Sequence, residues 1–128
     1  MIKEFNSIDE IQKYYDKETN TYIFKEDGQV IELIKFNFDL NIKSNINAWN
    51  INARNINAWD IKAGDITAGY INARNIHAWD INSLSIVADT IIYFAVCFAH
   101  FYIRCISIKG RISNAKHFVL DGEIKIVK

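Results

Sequence analysis

Isoleucine recurs at every fifth position from residue 46 to residue 91: Ile46, Ile51, Ile56, Ile61, Ile66, Ile71, Ile76, Ile81, Ile86 and Ile91. Two places after each of the first nine stands a small residue, Ala48, Ala53, Ala58, Ala63, Ala68, Ala73, Ala78, Ser83 and Ala88. The residue between them is mostly polar, as in Asn47, Asn52 and Lys62. Within a unit the pattern alternates as in a strand, and the unit repeats after five residues. A short fixed period held over this length predicts a coil of stacked strands, with large and small side chains turned inward.

The flanks read differently. Ser7-Ile8-Asp9-Glu10 has the form of a capping box and predicts a helix over about residues 7–17. Thr21 to Phe24 is β-branched and aromatic, Glu26-Asp27-Gly28 supplies a turn, and Ile34, Phe36, Phe38, Leu40 and Ile42 share one face of a following strand. Beyond the isoleucines the five-residue spacing carries the large position to Val96, Phe101 and Ile106, and the small one to Tyr93, Phe98, Ile103 and Ile108, which predicts a wider last coil. Lys109-Gly110-Arg111 ends the pattern, and Phe118 to Leu120, Asp121-Gly122 and Glu123 to Val127 form the pattern of a hairpin. The expected organisation is one all-β domain: a helix and hairpin cap over 1–45, a solenoid over 46–110 and a hairpin cap over 111–128. Caps are expected because an open solenoid end exposes unpaired backbone.

Aligning 51–70 with 71–90 gives 12 identities in 20 positions, among them Arg54 with Arg74 and Trp59 with Trp79. Four units of five predict a four-sided coil, residue n lying over residue n+20 at ~4.8 Å. Units such as Asn50-Ile51, Asn55-Ile56, Asp60-Ile61 and Asp80-Ile81 resemble the pentapeptide-repeat family, in which Asn or Asp precedes a large inward residue. That resemblance covers about residues 46–110 and implies a right-handed quadrilateral β-solenoid. The chain departs from the family one place earlier, where Trp49, Arg54, Trp59, Arg74 and Trp79 are too large to point inward. The tail from Ile92 to Ile126 is also similar to the endings of repeat proteins carried by bacteriophages and prophages.

Formal net charge is zero, which disfavours an acidic DNA mimic and a wholly basic nucleic-acid binder alike. Residues 1–43 nevertheless carry nine acids and six bases, and 91–128 two acids and six bases. Two cysteines are too few for a disulfide framework. The opening residues lack the apolar stretch of a signal peptide, and no apolar run approaches a membrane span, so a cytoplasmic protein is expected.

Candidate partner-binding residues are those sent outward. With twenty residues per coil, Trp59 and Trp79 stack on one side with Trp49 opposite, and Arg54 lies over Arg74. Arg104, Lys109, Arg111 and Lys116, with His117, make the end basic. Asn50, Asn55, Asp60, Asp65, Asn75 and Asp80 hold one fixed position, where a short polar side chain bonds backbone in a corner. Chemistry is weakly signalled. Cys97-x-x-His100 with Cys105 and His117 matches no zinc module, and Asp60 with Asp80 is explained by corner bonding. No catalytic residue, metal or cofactor is expected.

The expectation is a non-enzymatic protein-binding solenoid. Its phage-like ending implies an accessory factor that inhibits a host DNA-processing or defence protein. Two other classes stay open: a self-assembling structural protein joined through the Trp faces or the C-terminal cap, and nucleic-acid or anion binding through the basic end.

Overall fold

The computed structural model describes residues 2–127 and is a β-solenoid of about 6 turns, 68% strand. Strand β1 (Ile2–Phe5) is followed by a 3-10 helix (Ile8–Tyr14), β2 (Tyr15–Asp16) and β3 (Thr21–Ile23). A small hairpin, β4 (Lys25–Glu26) and β5 (Gln29–Val30), leads to β6 (Leu33–Phe36), β7 (Leu40–Asn41), β8 (Asn45–Asn47), β9 (Asn50–Asn57) and β10 (Asp60–Lys62). From β11 (Asp65–Cys105) the chain winds on without losing its pairing, then finishes with β12 (Ser107–Gly110), β13 (Lys116–Val119) and β14 (Glu123–Ile126).

The stacking register is fifteen residues. Ile46 pairs with Ile61, Ile61 with Ile76, Ile51 with Ile66 and Ile56 with Ile71, always in parallel. Three five-residue units therefore complete a coil, which corrects the expected four-unit coil and its n+20 stacking. Three isoleucine columns result, and the N-terminal strands extend each of them: Tyr22 under Ile46, Ile34 under Ile51 and Leu40 under Ile56. All of these side chains are buried. Burial contributes roughly 1.5 to 3 kcal/mol for each isoleucine. The alanines between them are also buried, except half-buried Ala63, and let the columns close on one another.

The five-residue phase fails after Tyr93. The inward residues become Cys97 and Ala99, then Ile103 and Cys105, while Val96, Phe101 and Ile106 are exposed. One extra residue enters each of these two sides. A shift of one position turns side chains to the opposite face, so extending the period carried Val96, Phe101 and Ile106 to the outside, while Tyr93 and Ile103 of the expected inward set are buried. The last coil is longer, as expected: Ile91 pairs with Ile108, Val96 with Lys116 and Ile103 with Ile124.

Both ends also differ from the sequence reading. The helix is a short 3-10 segment, with half a capping box: Glu10 accepts from the Asn6 N–H at 2.9 Å and the Ser7 hydroxyl at 3.3 Å. The Asp27-Gly28 turn forms, both residues having positive φ (50° and 77°), which Gly tolerates without steric cost. Parallel pairing runs past residues 45 and 110 in both directions. In particular β13 and β14 are no hairpin; each pairs in parallel with β11 as part of a further coil.

The N-terminal end is closed. Ile11 and Tyr14 of the 3-10 helix are buried with Phe5, Phe24 and Phe36, whose rings meet at 5.1 to 6.0 Å. One carboxylate oxygen ties the pieces together: Glu26 Oε1 accepts from Lys3 Nζ at 2.6 Å, the Tyr14 hydroxyl at 2.8 Å and Lys13 Nζ at 3.2 Å. These hydrogen bonds, with Lys3 foremost, hold the Glu26 carboxyl down from 4.5 to about 2. Hydrogen bonding to Glu26 correspondingly raises Lys3.

Two predictions follow from this packing. Replacing Ile71 by Ala should cost ~2 to 5 kcal/mol in denaturant unfolding, and Ile71→Asp should leave the chain unfolded by circular dichroism. For the carboxylate, depression below the unfolded value means stability present above pH 4.5 and lost as pH falls toward 2. The chain should thus be more stable than Glu26→Gln at pH 7, and the gap in melting temperature should close across that acid window.

Candidate interaction ridge

At the fourth position of each unit the chain turns and its side chain points outward, so the fifteen-residue register decides what stands beside what. Trp49, Gly64, Trp79 and Phe94 follow one another along one edge, and Trp79 N–H donates to the Gly64 carbonyl at 2.7 Å. A Cβ at Gly64 would stand 2.7 Å from the Trp49 carbonyl oxygen, so the position admits only hydrogen. The missing side chain lets Trp79 reach across to Trp49, ring centroids 5.7 Å apart, while Phe94 meets Trp79 from the other side at 6.0 Å. The three rings are 46%, 57% and 38% exposed. They form a continuous aromatic ridge along the coil axis.

Beside the ridge the outward residues of the same side are Asn47, Lys62 and His77, Lys62 being register-paired with both of the others. A shallow groove of 110 Å³ lies between, lined by Lys62, His77, Trp79, Phe94 and Arg111 among others. Lys62 and His77 also line a neighbouring 290 Å³ groove with Asn45 and Asp60. The ridge is thus apolar with a polar and basic flank.

The other expected site residues are dispersed. Trp59 lies on a different edge from Trp79, and Trp49 shares the edge of Trp79, so the expected pairing is reversed. Trp59 is covered by Arg74, whose guanidinium carbon is 4.2 Å from the ring centroid. Such a contact contributes ~0.5 to 1 kcal/mol at an exposed site. Arg54 is not stacked on Arg74; it lies 3.5 Å from Asp39, and the next coil places Gly69 against its carbonyl. The expected like-charge ladder therefore does not form.

The bases of the end encircle the last coil instead of forming one patch. Arg104 stands opposite Lys125, Lys109 opposite Ile92 and Lys116 opposite Val96. Arg111 alone reaches the ridge. His117 turns inward, its Nδ1 2.6 Å from the hydroxyl of buried Tyr93.

The corner Asn and Asp residues bond between coils. Asn45, Asn50 and Asn55 accept through Oδ1 from the N–H of Asp60, Asp65 and Tyr70 at 3.1 to 3.2 Å, and Asp80 accepts from Val96 N–H at 3.0 Å. Asn75 Nδ2 donates to Asp60 Oδ1 at 3.0 Å. Asp60 and Asp80, expected as neighbours, stand on different edges. Cys97 and Cys105 face the core as free thiols, and burial pushes Cys97 up to about 12. His100 packs on Phe101 at 4.5 Å, so the Cys-x-x-His spacing does not converge. Among the described residues no group of three or more His, Cys, Asp or Glu is placed to hold a metal.

Phe94, Lys62 and His77 are the ridge residues that sequence reasoning missed. The available signal was Gly64, a glycine at the outward position one coil from each of two tryptophans. Compared with protein-family models, curated proteins and solved structures, the chain gives no match.

Proposed function

We propose that the chain is a non-enzymatic protein-binding solenoid that engages its partner through the Trp49, Trp79 and Phe94 ridge. The observation carrying this reading is three contacting, half-exposed aromatic rings on a rigid edge. Exposed Trp contributes the large, low-entropy contact area typical of interface anchors, and a basic flank of Lys62 and Arg111 suits an acidic rim on the partner. The likeness of the tail to phage-borne repeat proteins supports a host protein as that partner. It favours inhibition of a host DNA-processing or defence protein, in the host cytosol, as the role. On this reading the coil is a relative of the pentapeptide-repeat solenoids, right-handed like them, with three units per turn.

Direct nucleic-acid binding through the basic end has less support, because Arg104, Lys109 and Lys116 are spread around the last coil. Trp59 is also a weaker anchor, its ring already occupied by Arg74.

The test is a pull-down from host lysate followed by measurement of affinity for the captured protein. Trp49→Ser with Trp79→Ser should weaken binding at least ~30-fold, as loss of hot-spot anchors does, with little change in melting temperature. Trp59→Ser should bind as the parent does. Equal affinity of the double variant and the parent would remove the ridge from the function.

A further inference from the structure

Three basic side chains from three different coils meet at the foot of the ridge. Lys62 and His77 are register-paired on the side that leads into it, one coil apart at ~4.8 Å. Arg111 comes from further along the axis, where its backbone is tied to the coil of Phe94: the Arg111 N–H donates to the Tyr93 carbonyl at 2.9 Å and the Ile112 N–H to that of Phe94 at 3.3 Å. All three side chains line the 110 Å³ groove walled by Trp79 and Phe94.

No carboxylate lines this groove. Asp60 lies in the neighbouring groove, and its Oδ1 accepts from Asn75. Lysines and arginines elsewhere find carboxylates, Lys3 and Lys13 at Glu26, Lys35 at Glu4 and Arg54 at Asp39. Among the described residues Lys62, His77 and Arg111 form no such pair through their side chains. Two fixed positive charges and an imidazole therefore converge without a counter-charge, and Lys and Arg can only donate.

Size and charge define what fits. A site that encloses a small molecule measures ~300 to 1,000 Å³, so this groove takes one anionic group whose carrier lies outside it. A carboxylate brings one charge and two oxygens, whereas a phosphomonoester brings about −1.5 to −2 and three oxygens at pH 7. Three donor side chains with two fixed charges match the phosphomonoester. A nucleic-acid backbone fits less well, because it needs a track of cations and Arg104, Lys109 and Lys116 are spread around the last coil. The rings also offer no stack for successive bases, neighbouring planes being tilted by 59° and 57°.

We propose that Lys62, His77 and Arg111 bind a phosphoryl group carried on a side chain of the protein that covers the ridge. Lys62 and Arg111 neutralise its charge and His77 donates a third hydrogen bond, the mode by which basic clusters recognise phosphorylated segments. The carrier leaves the groove across Trp79 and Phe94, so an aromatic carrier gains ring contacts there. This assignment rests on the ridge being the partner-binding edge.

The experiment titrates phenyl phosphate, inorganic phosphate, phenylacetate and a single-stranded oligonucleotide at constant ionic strength, following the His77 ring and the tryptophan indoles by nuclear magnetic resonance. Phenyl phosphate should shift His77 and Trp79 together and leave Trp59 unmoved. It should bind at least ~10-fold more tightly than phenylacetate and ~3-fold more tightly than inorganic phosphate. Lys62→Gln with Arg111→Gln should weaken it at least ~10-fold at an unchanged melting temperature, both residues being exposed and unpaired. Arg104→Gln with Lys116→Gln should bind it as the parent does. Trp79→Ser should lower phenyl phosphate to the level of inorganic phosphate and leave inorganic phosphate unchanged. Phosphatase treatment of the captured protein should weaken its binding to the parent at least ~10-fold, and its binding to the Lys62→Gln, Arg111→Gln variant much less. Phenylacetate binding as tightly as phenyl phosphate, a tighter oligonucleotide, or indifference to Lys62 and Arg111 would overturn the proposal. Should phosphatase change nothing while Trp49→Ser with Trp79→Ser abolishes capture, the phosphoryl site falls and the ridge stands; should neither matter, both fall.

Discussion

Parallel coils held by backbone hydrogen bonds sit ~4.8 Å apart, and that spacing constrains everything else in this molecule. Inward, it puts isoleucine on isoleucine and excludes any gap between coils. Outward, it leaves no room for a Cβ at Gly64 or Gly69, where one would meet the carbonyl of the coil before it. Trp49 is therefore followed by Gly64 and Arg54 by Gly69. Where the neighbour is not glycine, the two side chains must fit one another, as Arg74 fits the face of Trp59.

This constraint explains what the sequence disclosed. The inward face was readable because burial repeats like with like: Ile46, Ile61 and Ile76 are the same residue in the same column. The size of the coil was not readable by identity, because the turning positions stack unlike residues. Trp59 matches Trp79 at twenty residues by identity, yet the chain stacks Trp59 under Arg74 and Trp79 over Gly64. Complementary sizes, not repeated letters, carried the fifteen-residue signal. At the C-terminal end, one added residue in each of two sides was enough to invert Val96, Phe101 and Ile106, and no local pattern announces such an insertion. The Asp27-Gly28 hairpin, by contrast, was legible because positive φ at both positions is a local demand.

The same constraint shaped the candidate site. Twenty-residue stacking scattered the tryptophans into a pair and a single; fifteen-residue stacking gathers Trp49 and Trp79 with Phe94 and gives Trp59 to Arg74. The corner amides that looked like turn chemistry instead pin one coil to the next, with Oδ1 reaching the following backbone N–H. Those bonds and the buried columns stiffen the edge on which the aromatic ridge is carried.

The stacking register is the claim on which the ridge rests, and disulfide trapping tests it most directly. Asn52 is register-paired with Thr67 and both are exposed, so cysteines at these two positions fall within the span a disulfide bridges. Under mild oxidation Asn52→Cys with Thr67→Cys should cross-link within one chain, while Asn52→Cys with Asn72→Cys should not. Cross-linking of the second pair in place of the first would restore a twenty-residue coil and contradict this account.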